Sequence, residues 1–170
     1  MSSTALRFRR ATLADVPAIV AMLADDPLGS TRECGWEAAS QRYGEAFAEI
    51  DADPNQLLCV AERDDEIVGT LQLTFISGLS RNGAKRGLIE AVRVARARRG
   101  ERIGEALLTW AIDACRARGC VLVQLTTDRT RVDAHRFYER LGFEPTHVGY
   151  KLPLLAADRT DPCRSAGGDV

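Results

Sequence analysis

Apolar residues recur along this chain with a period of about two in some stretches and about 3.6 in others, and the switches between them outline the elements. Residues 6–9 read as a short first strand. Thr12 then offers a helix cap, with Asp15 three residues on. Val16, Ile19, Val20 and Leu23 follow at helical spacing and predict a first helix ending near Asp25. The stretch DDPLGSTRECG, 25–35, reads as loop from its proline and glycines. A second helix is predicted over 36–50, with Tyr43, Phe47 and Ile50 on one face. LLCVAE (57–62) and IVGTLQLTF (67–75), joined by RDDE, predict an antiparallel hairpin. After a loop over 76–87, LIEAVRV (88–94) predicts a strand. A helix follows from Ile103 to about Arg118, with Ile103, Leu107, Ala111 and Ala114 on one face and Gly119 as its C-terminal cap. VLVQLTT (121–127) suits a parallel neighbour of 88–94, reached by a right-handed crossover through that helix. A short helix over 133–141, closed by Gly142, and a last strand, THVGYKLPL (146–154), complete the pattern. The expected organisation is one α/β domain over 1–155, with a polar, loose tail over 156–170.

The segment between the strand at 88–94 and the helix at Ile103 carries the densest chemistry. Arg93, Arg96, Arg98, Arg99 and Arg102 crowd it, and Gly100 and Gly104 free its backbone. The unpaired N–H groups and positive dipole end of the following helix would point at this loop, which makes an anion site. Arginine side chains would add charge-assisted contacts to phosphate oxygens. The segment reads either as a cradle for a pyrophosphate-bearing cofactor or as a solvated basic turn before a surface helix. Strand, loop, then helix is the context that a phosphate cradle requires.

Composition sharpens this reading. The chain has 170 residues, 45% of them hydrophobic and 28% charged, which suits one domain with its own core. Its net charge is −1, so the arginine cluster is local. That argues against nucleic acid as the partner and for a small anionic ligand. Five cysteines (Cys34, Cys59, Cys115, Cys120 and Cys163) show no C-x-x-C pair, which points to reduced thiols in a cytoplasmic protein and to no metal site. The start of the chain lacks the apolar region of a signal peptide, and no apolar run approaches membrane-spanning length, so no membrane partner is expected.

Two stretches, IEAVRVARARRGERIGEALL (89–108) and DAHRFYERLGF (133–143), carry a resemblance to a known family. The chain resembles the GCN5-related N-acetyltransferases, the GNAT superfamily, over roughly 5–154. The first stretch is similar to the family's acyl-CoA motif, Gln/Arg-x-x-Gly-x-Gly/Ala. Arg99 takes its first position and Gly104 its last, while Arg102 replaces the middle glycine. The resemblance implies a mixed, strongly twisted sheet flanked by helices and split between two central parallel strands, 88–94 and 121–127. It implies acetyl-CoA as co-substrate and no metal. The pantetheine would pair with the backbone of Val92, Arg93 and Val94 like an added strand. The loop Arg99, Gly100, Glu101, Arg102, Ile103 and Gly104 would hold the pyrophosphate. Arg131 stands where the family often has a cofactor-contacting asparagine, and either reaches a phosphate or is solvated. Homodimers are common in the family.

The same resemblance offers roles for individual residues. Tyr138 is either a core tyrosine or the general acid that protonates the departing thiolate. Glu90 interrupts an apolar strand; it is either paired with Arg86 or Arg93, or is the base that takes a proton from the acceptor ammonium through a water, its pKa raised by partial burial. The 25–35 loop, with Leu28, Arg32 and Glu33, is the expected acceptor wall, joined by Tyr150 from the last strand. Asp133 caps its helix, and His135 and His147 read as surface residues. The expected reaction is direct attack by a primary amine, of a small molecule, within a ternary complex. A protein or peptide acetyltransferase and a non-catalytic acetyl-CoA-binding module are the alternatives.

Overall fold

Among the described residues, five strands form one mixed sheet in the order β1-β2-β3-β4-β5: β1 (Arg7–Arg10), β2 (Gln56–Arg63), β3 (Glu66–Ile76), β4 (Lys85–Val94) and β5 (Cys120–Leu125). The computed structural model describes residues 5–25, 33 and 35–154. Leu28, Arg32 and the expected tail over 156–170 lie outside these described residues. Neighbouring strands run antiparallel except β4 and β5, which are parallel. A 3₁₀ turn (Leu13–Asp15) leads into α1 (Val16–Ala24), followed by α2 (Trp36–Ala52), the single turn α3 (Ser80–Gly83), α4 (Ile103–Ala117) and α5 (Val132–Arg140). Asp64 and Asp65, both at positive φ, make the β2–β3 turn, as a two-residue hairpin connection demands.

The period-2 pattern of β3 sends Leu71, Leu73 and Phe75 to one face of the sheet, where Ile89 of β4 joins them. The 3.6-period face of α4 (Ile103, Leu107, Leu108, Ala111, Cys115) packs on this layer, all five buried. Burial of one such leucine stabilises the fold by about 1.5–3 kcal/mol. Gly87 permits the close approach of helix and sheet: a Cβ there would lie 2.2 Å from Cys115 Sγ. On the other face, Ile19 of α1 packs with Ala11 and Val60, and Phe47 of α2 rests against them.

The α1 start is held by an ion network. The Arg9 guanidinium donates to both Asp15 oxygens, at 2.6 and 2.9 Å, and its Nε donates to Glu62 at 2.6 Å. The Thr12 backbone N–H donates to Asp15 at 2.6 Å, as expected of the capping box. Asp15 is only 6% exposed, yet the Arg9 guanidinium holds its carboxyl at about 2, against the opposing effect of burial.

One element differs from the sequence reading. Residues 146–154 form no strand, and Val148, Tyr150 and Leu152 are exposed. The alternation is present, but it reports only that an extended segment has two unlike faces. Gly149 weakens a strand, and Pro153 lacks a ladder donor. β5 therefore closes the sheet order among the described residues instead of lying within it, and Val121 on it is exposed. β4 also begins three residues earlier than expected, because Lys85, Arg86 and Gly87 already pair with β5.

Asp15 supplies a pH test. Its carboxyl is depressed in the folded state, so its contribution is present above the unfolded value of 3.8 and disappears as pH falls toward 2. Urea unfolding should show wild type exceeding Asp15→Asn by roughly 2 kcal/mol at neutral pH, with the gap closing between about pH 4 and pH 2.

Candidate active site

β4 changes surroundings halfway along. From Lys85 to Ile89 it pairs with β5, ending at the Ile89–Leu125 register. From Glu90 onward only β3 remains beside it. The parting coincides with a bulge. Gln72 faces Glu90 and Thr70 faces Arg93, so Leu71 alone opposes both Ala91 and Val92. Ala91 sits at φ +52, the left-handed region that favours glycine. A bulge bends the strand that carries it, and this one lies where β4 leaves β5. On the β5 side, no strand among the described residues supplies partners to the backbone of residues 90–94. The Val92 carbonyl accepts instead from the Arg93 guanidinium at 2.9 Å.

The split opens into a cavity of about 1680 Å³. Glu90, Val92, Arg93, Arg131 and Tyr138 all contribute to its wall, and so do Glu33 and Tyr150. Single small-ligand sites typically measure ~300–1,000 Å³, so this space is large enough for two substrates together. Tyr138 of α5 is half-buried between Phe137, 5.4 Å away between ring centres, and Phe143, which meets it edge-on at 6.0 Å. Burial pushes its phenol upward, with the charges of Arg131 and Arg93 opposing. It therefore carries its proton at neutral pH and is a donor. Its ring packs against both phenylalanines, and the residue also lines the cavity.

Glu90 departs from expectation. It is exposed, and neither Arg86 nor Arg93 pairs with it among the described residues. The expected partial burial fails because β4 is uncovered beyond Ile89, so the carboxylate stands in the open split. Glu33 accepts from the Tyr43 hydroxyl at 2.9 Å. Tyr150 is on the rim, 92% exposed.

The arginine-rich loop is also arranged differently from the expectation of free phosphate ligands. Arg99 pairs with Asp25 at 2.9 Å and Arg96 with the same carboxylate at 3.5 Å. Arg98 pairs with Glu66 at 2.9 Å, Arg102 with Glu105 at 2.6 Å, and Glu101 with Arg63. What remains for an anion is backbone. No side chain caps α4, so the first-turn N–H groups at Ile103 and Gly104 have no side-chain acceptor. Gly100 at φ +89 and Arg102 at φ +59 shape the loop. Gly104's absent side chain would face Phe137 at 3.5 Å and Val94 at 3.7 Å, toward α5. The cavity wall reaches Arg93 and stops short of residues 99–104. The sequence reading missed the Ala91 bulge, which no residue type signals, and the role of Asp25, legible only as an acid at the end of the first helix.

Comparison with known proteins fits this geometry. Residues 20–143 match the acetyltransferase (GNAT) family. The aminoalkylphosphonate N-acetyltransferase of Salmonella typhimurium is 35% identical over 114 residues, 67% of this chain and 73% of that protein. A crystal structure named as a transcriptional regulator from Bacillus halodurans is 47% identical, with a TM-score of 0.85 over 88% of this chain and all of that one. An acetyltransferase structure from Agrobacterium tumefaciens is 28% identical, with a TM-score of 0.74 over 86% of this chain and 99% of that one. The chain belongs to the GNAT family, the GCN5-related N-acetyltransferases. Enzymes of this family use acetyl-CoA.

Arg102 holds the left-handed position where the family motif has glycine, so its backbone is strained. Arg102→Gly should raise the thermal midpoint by about 2–4 °C, and Arg102→Val should lower it, in a calorimetric melt.

Proposed function

We propose that this chain transfers the acetyl group of acetyl-CoA to the primary amine of a small molecule, by direct attack within a ternary complex. The carrying observation is the parting of β4 from β5, with Glu90 and Tyr138 both on the wall of the one cavity it opens. The β4 edge at Val92, Arg93 and Val94, beyond the end of its pairing with β5, suits the amides of a pantetheine arm, which would add as a short strand. The α4 N-terminus with Gly100, Glu101, Arg102, Ile103 and Gly104 suits a pyrophosphate, held mainly by backbone N–H groups. Arg99 would reach it by exchanging Asp25 for phosphate, and Arg131 would add positive charge from the cavity wall. The co-substrate supplies an acyl group already activated as a thioester.

The protein's residues then divide the proton traffic. The Glu90 carboxylate, open to solvent, accepts the ammonium proton of the acceptor through a water. Backbone N–H groups near Val92 face the thioester carbonyl and hold charge that develops on its oxygen. The Tyr138 hydroxyl, kept protonated by burial, donates to the sulfur as the C–S bond breaks. Glu33 and Tyr150 bound the acceptor side, and Leu28 and Arg32 of the 25–35 segment are the further candidates for acceptor contact. Much of the acceleration comes from holding two substrates in line. The Salmonella relative's small aminated acceptor supports a small-molecule substrate.

Tyr138→Phe keeps the ring and removes the proton. It should lower kcat by about 100-fold and leave the acetyl-CoA Kd within about twofold, by steady-state kinetics and calorimetry. Equal weakening of both would make Tyr138 a packing residue. Glu90→Gln should lose most activity at low pH, where the acceptor amine is most protonated; a loss that is flat with pH would remove the base role.

A further inference from the structure

We propose that Arg86 is the specificity residue of the acceptor site and that it holds an oxyanion head group, so that the acceptor is a short amine carrying a phosphonate or carboxylate. This rests on the acetyl-transfer reading above and names the acceptor class for the same cavity.

Among the described residues, the half-buried arginines Arg9, Arg63 and Arg98 each grip a carboxylate. Arg86 is also half-buried, and no hydrogen bond or ion pair engages it. Its Nε is shut off from solvent without an acceptor, as are those of Arg63 and Arg93, but Arg63 holds a carboxylate through its Nη1. Burying a guanidinium donor without a partner is costly, so such a group is usually paired or awaits a ligand. Arg86 contributes to the wall of the same cavity as Glu90 and Tyr138.

Position in the strand makes the pairing chemical. Gly87 and Ile89 face α4, beside Cys115 and the core. Arg86, Leu88 and Glu90 therefore share the opposite face of β4. Arg86 and Glu90 are four residues apart, about 13 Å between backbones, before two long side chains close part of that gap. One end of the cavity thus offers a proton acceptor for an amine and the other a bidentate donor for an oxyanion. On β5, Leu122 stands at the register of Arg86 and offers no competing carboxylate. A primary amine with an acidic group a few carbons away matches both ends.

CoA release is measured for three acceptors of equal chain length: an aminoalkylphosphonate, the matching amino carboxylate and an uncharged alkylamine. Wild type should favour the acidic amines. Arg86→Gln should lower the ratio of kcat/KM for acidic over uncharged acceptor by roughly 100-fold, chiefly through KM. Arg86→Lys, which keeps the charge without the planar fork, should restore part of that ratio. The acid with the larger drop identifies the head group. An unchanged ratio, or equal loss on all three acceptors, overturns the assignment. Calorimetric binding of the aminoalkylphosphonate to wild type and Arg86→Gln gives an answer independent of turnover. If wild type acetylates none of the amines, the acetyl-transfer reading fails, while this binding comparison still decides Arg86: weaker binding to the variant supports it, and equal binding refutes it.

Discussion

Strand β4 has a neighbour on each side from Arg86 to Ile89 and, among the described residues, on the β3 side only from Glu90 to Val94. Buried backbone groups must find partners, and a strand edge inside a molecule is a standing demand for them. The bulge at Ala91 places that demand at the mouth of a large cavity. Everything at the site follows from this. The open edge can accept an extended chain of amides, Glu90 is exposed because no strand among the described residues lies beside β4 there on the β5 side, and α5 brings Tyr138 to the same space. The core beneath keeps the split in place: α4 is locked onto β3 and β4 through Gly87 and a layer of fully buried leucines.

Charge is distributed with similar economy. The arginines of the loop before α4 are mostly neutralised by Asp25, Glu66 and Glu105. An anion there meets fixed backbone donors first and mobile side chains second. The Arg99–Asp25 pair also joins this loop to the end of α1, next to the 25–35 segment expected to bound the acceptor. Arg86, half-buried on the cavity wall, has no acceptor at its Nε.

Much of this was legible in the sequence because periodicity reports burial directly. The hairpin, the α4 face and the Thr12–Asp15 capping box all appear where the pattern puts them. Resemblance in two short stretches reached the family, which the comparisons establish. What could not be read depended on partners instead of pattern. Val148, Tyr150 and Leu152 alternate like a strand, but pairing needs an edge that accepts them. Glu90 looked buried because a strand in the middle of a sheet normally is, and the sequence does not record where β5 ends. The arginine cluster looked free because its acids are distant in sequence: Asp25 is 74 residues from Arg99.

The central claim is that the split beside β4 receives acetyl-CoA. Amide hydrogen exchange with and without acetyl-CoA tests it most directly. The account predicts slowed exchange at Val92, Arg93 and Val94 and at the α4 start, Ile103 and Gly104, with little change along β1 and β2. Protection confined to other segments, or none at saturating acetyl-CoA, would contradict it.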